Sequence, residues 1–175
     1  MEILFSLIHG MSVNMLRCFF HLNGGSLSTL SVPGVGFFPA YSGNAGPYRN
    51  NPDAADIKEV GPLPPGKYYI VNRPTGGLIT KAKNWVESEI SGSDRSLWFA
   101  LYREDDRLDD MTFYNNVLRG NFRLHPAGYQ GVSKGCITLP SRSHYMILRD
   151  ALLNEHNVRV KITASLTAYG TVQVY

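Results

Sequence analysis

The chain of 175 residues has few cysteines, no strongly basic block and no long apolar run. Its two cysteines, Cys18 and Cys136, are too few for a disulfide framework, although a single bridge between them stays open as a less favoured alternative. No run of five or more lysines and arginines occurs and the net charge is only +3, so nothing points to nucleic acid as a partner. No stretch approaches the roughly 20 apolar residues that cross a bilayer, so we predict no stable membrane anchor.

The first residues, Met1–Gly10, are apolar but carry an acid at the second position and lack the basic segment of a secretory signal. Met11 and Met15 are alternative starting points. We therefore interpret residues 1–14 as an extension outside the fold. Residues 15–175 have the size of a single domain that buries a core without disulfides.

Turn-forming residues are abundant, with 17 glycines and 10 prolines, which is typical of β-rich folds. Asn23–Gly25 between two alternating segments predicts a hairpin, and the spacing of apolar residues predicts helices over 78–90 and 141–154. We expect a mainly β (α+β) domain, a bent mixed sheet or β-sandwich with about two helices packed against it. Strands are predicted over residues 17–22, 26–31, 67–72, 96–103, 111–115, 121–125, 158–163 and 170–175.

Reactive side chains are concentrated between residues 121 and 140. His125 ends a short alternating segment, and Cys136 opens a second one. Gly135 permits a sharp turn whose amides, those of Gly135 and Cys136, can hold an oxyanion, and Ser133 can hydrogen-bond within that turn or toward the histidine. A histidine on the facing strand can take the thiol proton. A buried structural cysteine and a satisfied structural histidine explain the same residues equally well, and both interpretations stay open.

Two metal-site interpretations are less favoured. Cys136 with His125 could ligate zinc, but no Cys-x-x-Cys pair or further paired ligand accompanies them. The acids within residues 104–110 fit a solvated hairpin tip better than a cation site. We therefore expect no metal and no other cofactor.

At these residues the sequence resembles the L,D-transpeptidase (YkuD-type) catalytic domain. His125 followed by Ser133-x-Gly-Cys-Ile137 is similar to its signature. Beyond this signature, residues 16–165 resemble one branch of the family, the L,D-transpeptidase-like effectors of type VI secretion. In two respects the chain departs from the broader family: the interval 126–132 is short, and Thr138 stands where an arginine is common. The branch resemblance also includes the segments Phe122–Pro126, Tyr41–Asn44, Gly61–Tyr68 and Trp98–Arg103.

The resemblance implies an L,D-transpeptidase-type sheet and a cysteine enzyme that acts on peptidoglycan stem peptides, as an L,D-carboxypeptidase and by exchange of the terminal D-amino acid. It implies that His125 is the general base and Cys136 the nucleophile. The effector branch further implies delivery by a dedicated secretion machine into the periplasm of target bacteria. It also implies a cognate immunity protein.

Four further residues are candidates for substrate contacts. Arg123, two positions before His125, should share its strand face and could meet a substrate carboxylate. The alternative, slightly favoured, is an ion pair with the acids of residues 104–110. The other three candidates are predicted to line the cleft, with ordinary packing as the alternative: Tyr41, Ser42 and Tyr129.

Two other functions stay open at this point. A house-keeping L,D-transpeptidase would cross-link the cell wall and accumulate dimers rather than shortened stems. A non-catalytic wall-binding module would keep the fold and would lose nothing when Cys136 is replaced by alanine.

Overall fold

The computed structural model describes residues 15–73 and 94–175, which form eleven strands and one α-helix. Two short 3-10 helices cover Pro52–Ala54 and Arg95–Leu97. The predicted extension over residues 1–14 and the predicted helix over 78–90 lie outside the described residues. The strands and the helix are β1 Leu16–Phe20, β2 Ser28–Val32, β3 Gly36–Ala40, β4 Gly66–Asn72, β5 Phe99–Arg103, β6 Met111–Tyr114, β7 Val117–Gly120, β8 Arg123–Pro126, β9 Ile137–Leu139, α1 Arg142–Leu153, β10 Val160–Lys161 and β11 Thr167–Val174.

Nine strands form one mixed sheet that nearly closes on itself. Its order is β3-β2-β1-β11-β4-β5-β8-β9, with β10 paired to β11. The pairs β1–β11 and β8–β9 are parallel. At the seam between β3 and β9, the amides of Tyr41 and Thr138 donate to each other's carbonyl oxygens at 2.9 and 2.8 Å. The mainly β, mixed-sheet fold predicted from the sequence is confirmed.

The hairpin predicted at Asn23–Gly25 is present between β1 and β2, which pair antiparallel. Gly24 has a φ of +68°, and the Gly25 amide donates to Asn23 Oδ1 at 3.0 Å. A short side chain that bonds to the backbone and a glycine with positive φ together turn the chain. The connection is longer than predicted, because residues 21–27 lie outside both strands.

The sequence analysis did not predict β3, β7 or β9 and misjudged two strand lengths. Asn115 and Asn116 have φ values of 47° and 62°, so they form a tight turn that reverses the chain from β6 into β7. The predicted strand over 158–163 was too long, because only β10 pairs with β11 there. The strand predicted over 96–103 begins only at Phe99 in the structure. The residues before it form a 3-10 turn, in which Asp94 Oδ1 accepts the Ser96 amide at 2.9 Å.

Helix α1 covers the core face of the sheet. Ser141 Oγ accepts the His144 amide at 3.2 Å and caps the first turn of the helix. Tyr145, Leu148 and Leu152 recur on one face of the helix and are fully buried. The helix contacts β8, β9 and β11. Within residues 15–73 and 94–175, no helix is both long and apolar enough to cross a membrane.

Candidate active site

Strands β8 and β9 bring the predicted catalytic residues to one face of the sheet. In their parallel register Leu124 lies beside Ile137, and His125 lies beside Thr138. Leu124 and Ile137 belong to the hydrophobic core, so the next side chain along each strand points to the opposite face. Cys136, directly before β9, lines the same cleft as His125.

The cleft in front of these two strands has a volume of about 520 Å³. Its lining contains both His125 and Cys136 and is rich in cationic side chains and glycines. The lining residues are Glu59, Arg73, Arg95, Trp98, Gly120, Asn121, Arg123, His125, Gly128, Gln130, Gly131, Val132, Lys134 and Cys136.

The His125 ring is held at both nitrogens and on one face. Nδ1 lies 2.8 Å from the carbonyl oxygen of Pro126, and Nε2 lies 3.2 Å from Thr138 Oγ1. The indole of Trp98 stacks on the imidazole with 4.2 Å between centroids and 22° between planes. A carbonyl oxygen can only accept, so we assign the proton of neutral His125 to Nδ1. Nε2 therefore carries the lone pair that can act as a base.

Burial acts oppositely on the two reactive groups. It lowers the pKa of His125 from 6.5 to about 4, with the nearby charges of Arg95 and Arg123 adding to the effect. It raises the pKa of the Cys136 thiol to about 11, although the backbone amide of Arg123 counteracts the increase. At neutral pH the resting site therefore holds a neutral imidazole and a neutral thiol. Such a pair reacts when the imidazole takes the proton as sulfur attacks, rather than from a stored ion pair.

The turn before Cys136 requires glycine. Gly135 has a φ of +91°, and a Cβ there would lie 2.8 Å from the Phe122 ring and 2.9 Å from Arg119 Nη2. Ser133 Oγ donates to the Cys136 carbonyl at 2.8 Å, which closes the turn. The backbone thus bends sharply just before Cys136, whose side chain lines the cleft.

The comparison with protein-family models gives one match: the model of the Tlde1 domain matches residues 36–163. The chain belongs to the Tlde1 domain family. This family consists of L,D-transpeptidase-like type VI secretion effectors, so the match supports the effector branch of the resemblance. The protein is accordingly an effector directed at peptidoglycan and secreted into target cells, with a cognate immunity protein as its implied partner. No curated protein and no solved structure matches the sequence.

In this Tlde1 domain, the four residues predicted to contact substrate occupy different surroundings. Arg123 lines the cleft, but its Nη1 and Nη2 donate to Asp110 Oδ1 and Oδ2 at 2.5 and 2.6 Å. Tyr129 is 86% exposed and Ser42 is fully buried. The hydroxyl of Tyr41 donates to the Gly131 carbonyl at 3.1 Å. Among the described residues that line the cleft, only Arg123 comes from this predicted set.

The loop that begins at Tyr41 forms hydrogen bonds with the turn before Cys136 and holds it in place. The Gly43 amide donates to Ser133 Oγ at 3.3 Å, and the Ser133 amide donates to Asn44 Oδ1 at 3.2 Å. Ser42 Oγ accepts the Leu63 amide at 2.7 Å and holds the loop itself. The resemblance included this segment, but its role in the structure is to position the turn.

Sequence reasoning missed three residues that position the reactive groups: Thr138, Trp98 and Asn44. Thr138 had a usable signal, because it lies two positions after Cys136 in the segment that Cys136 opens, and in an extended chain residues two positions apart share one face. Trp98 and Asn44 belong to segments that carried the resemblance, but no local pattern gave either a role, since each reaches the site from a distant part of the chain.

Proposed function

We propose that this Tlde1 domain is a cysteine-dependent L,D-carboxypeptidase and L,D-transpeptidase. It removes the terminal D-residue of peptidoglycan stem peptides, or exchanges it for another D-amino acid. The observation that carries the proposal is the presence of His125 and Cys136 in one cleft, on β8 and directly before the neighbouring β9, with the imidazole in the tautomer whose Nε2 carries a lone pair that can accept a proton. The function implied by the family fits this arrangement.

The first half of the reaction forms a thioester. Cys136 Sγ bonds to the carbonyl carbon on the L-centre of the stem as its proton passes to His125 Nε2. The resulting oxyanion is stabilised by the amides of Gly135 and Cys136. The C–N bond then breaks as the imidazolium returns the proton to the departing amine of the D-residue.

The second half releases the acyl group. Water, or the amine of a free D-amino acid, attacks the thioester carbonyl while His125 takes a proton from it. The C–S bond breaks, and the sulfur is reprotonated by the imidazolium. Water gives a shortened stem, whereas the amine gives an exchanged stem, so the supply of D-amino acid decides the product.

The test uses purified protein and muropeptides that end in D-alanine, analysed by mass spectrometry. The wild type should remove one D-alanine, and an added D-amino acid should appear in its place. Cys136→Ala should abolish both products. Cys18→Ala is the matched control, because Cys18 is 1% exposed in the core, and it should keep the activity.

Two results would overturn the proposal. Undiminished cleavage by Cys136→Ala would remove the cysteine from the chemistry. Accumulation of cross-linked dimers without shortened stems would favour a wall-building transpeptidase instead.

A further inference from the structure

One edge of the cleft carries an exposed ion pair between Glu59 and Lys134. Lys134 Nζ lies 2.7 Å from Glu59 Oε2, and the side chains of Lys134 and Glu59 are 60% and 73% exposed. Both residues line the cleft, and Glu59 is the only acid among the described residues that line it. The hydrogen bond from Lys134 lowers the pKa of Glu59, so the carboxylate is charged at neutral pH. The cleft therefore presents an anion and a cation side by side.

Protein stability does not account for this pair. Ion pairs with such exposure contribute little to the free energy of unfolding, because water and salt screen them. Glu59 also has a φ of 64°, in the left-handed region that residues other than glycine rarely adopt. A residue that combines a strained backbone with a charge exposed in a cleft is typical of a functional position.

The backbone of Glu59 is tied to the turn before Cys136. Asn44 Nδ2 donates to the Glu59 carbonyl at 3.4 Å, and Asn44 Oδ1 accepts the Ser133 amide at 3.2 Å. One side-chain amide thus joins the two segments, and the Lys134 side chain joins them a second time at the surface. The carboxylate of Glu59 is therefore held beside the turn that carries the nucleophile, although the two segments are distant in sequence.

The substrate places a charged side chain near this pair. In peptidoglycan stems the residue that supplies the attacked carbonyl is a diamino acid, whose side chain ends in an ammonium group or in an ammonium group and a carboxylate. Bond lengths near 1.5 Å place that end about 6 Å from the Cα of the diamino acid. Lys134 lies two positions before Cys136, so their Cα atoms are at most about 7 Å apart. The two lengths are comparable, so a side chain that starts beside the Cys136 sulfur can extend to the ion pair.

The charges of the pair complement a zwitterionic side-chain end. Its ammonium can bind Glu59 and its carboxylate can bind Lys134, so that each of the four charges lies next to a charge of opposite sign. Both protein side chains are more than half exposed, so these contacts can form without breaking the existing ion pair. A side chain that ends in an ammonium alone can use only Glu59.

We propose that Glu59 and Lys134 bind the side chain of the diamino acid that precedes the terminal D-residue of the stem. Glu59 binds its ammonium and Lys134 binds its carboxylate. The pair therefore favours a zwitterionic diamino acid over a lysine-type residue, and a lysine-type residue over an uncharged one. This inference rests on the proposed function and assigns the substrate selectivity on the acyl side of the bond that is cleaved.

The test uses three stem tetrapeptides that differ only in the residue before the terminal D-alanine: diaminopimelate, lysine, or norleucine with its apolar side chain. The wild type should cleave them with kcat/KM decreasing in that order. Glu59→Gln should lower kcat/KM by about 5-fold for the diaminopimelate and lysine peptides, the upper range for an exposed charge pair, and should leave the norleucine peptide unchanged. Lys134→Met should lower it for the diaminopimelate peptide alone.

Lys67 and Glu104 provide a matched control, because they form an exposed ion pair outside the described lining of the cleft. Lys67 Nζ lies 2.8 Å from Glu104 Oε2, and the two side chains are 44% and 41% exposed. Lys67→Met and Glu104→Gln should each match the wild type on all three peptides. An equal loss on all three peptides in Glu59→Gln and Lys134→Met would give their ion pair a structural role only and would overturn the inference. Unchanged preferences in both variants would overturn it as well.

A binding measurement separates this inference from the proposed function. In the Cys136→Ala protein, calorimetric titration should give a lower Kd for the diaminopimelate peptide than for the norleucine peptide, and Glu59→Gln in the same background should remove most of the difference. Equal Kd values, or no binding of either peptide, would overturn the inference and leave a Cys136-dependent activity intact. If the wild type cleaves none of the peptides, the proposed function fails and the Kd values alone decide the inference.

Discussion

The two cysteines of this chain are almost equally buried, yet only one is placed for chemistry. Cys18 is 1% exposed and Cys136 is 7% exposed. Burial raises the pKa of both thiols, to about 12 and about 11 respectively. Cys18 belongs to the apolar core cluster, whereas Cys136 shares a cleft with His125. Neighbouring groups and access to the cleft, rather than the degree of burial, distinguish Cys136 from Cys18.

Their strands explain the contrast. Both cysteines lie on or next to one of the two parallel strand pairs, where Cys18 of β1 lies beside Val172 of β11. Cys18 lies on the face of β1 that packs into the core, whereas the adjacent Arg17 lies on the opposite, exposed face. Cys136 lies on the face of β9 opposite the core residue Ile137, and residues 127–136 leave the sheet before it. The face on which each thiol lies therefore decides its access.

The largest expected effect comes from replacing His125, because Cys136 would then lack a neighbouring base, as Cys18 does. His125→Gln should lower kcat/KM on muropeptides by a factor of about 10³, the range expected for a general acid–base. His144→Gln, on helix α1, is the control and should stay near the wild type. Retention of more than a tenth of the activity by His125→Gln would contradict the assignment of the base.

Gly135→Ala should distort the backbone turn that orients the Cys136 side chain toward the cleft. The positive φ and the contacts with Phe122 and Arg119 should together cost about 3 kcal/mol of the free energy of unfolding, measured in urea. Gly24→Ala provides a matched control, because its φ is +68° but no atom lies within 4 Å of the added Cβ. That control should lose only about 1 kcal/mol. Equal losses in the two variants would show that the turn tolerates a side chain.

The pH dependence of stability tests the surroundings of the base. Because the pKa of His125 falls from 6.5 in the unfolded chain to about 4 in the fold, its contribution is complete above pH 6.5 and is lost as the pH falls toward 4. Between pH 7.5 and pH 4.5 the wild type should lose roughly 2–3 kcal/mol more than His125→Gln in urea unfolding. Parallel pH curves for the two proteins would indicate that His125 titrates normally.

The smallest expected effect concerns the hydroxyl that holds His125. Thr138→Val removes the partner of Nε2 while preserving shape, and it should lower kcat by about 10-fold and move the acid limb of the pH–rate profile. Thr138→Ser keeps the hydroxyl and should restore both properties. If valine and serine behave alike, the hydroxyl has no part in positioning the imidazole.

Much of the reactive centre could be predicted because it is local in sequence. His125 and Cys136 lie on adjacent strands joined by one short connection, and the glycine with positive φ directly precedes the nucleophile. For Arg123, strand alternation predicted the face, and the acidic segment predicted the ion pair that the structure contains with Asp110. The roles of Trp98 at the imidazole and Asn44 at the turn could not be predicted in this way, because both residues are distant from the site in sequence.

The sequence by itself determined the β-rich class, helix α1 and the first hairpin, and it singled out His125 and Cys136 as the candidate reactive pair, because each depends on the periodicity or chemistry of a short segment. The tertiary structure decided which cysteine faces a cleft, how the His125 ring is oriented and which cations surround it. Trp98 reaches His125 from before β5, and Asn44 reaches Ser133 across 89 positions of the chain. The first contact follows from the pairing of β5 with β8, and the second exists only once the sheet has curved and brought β3 and β9 together. No local pattern encodes either of them.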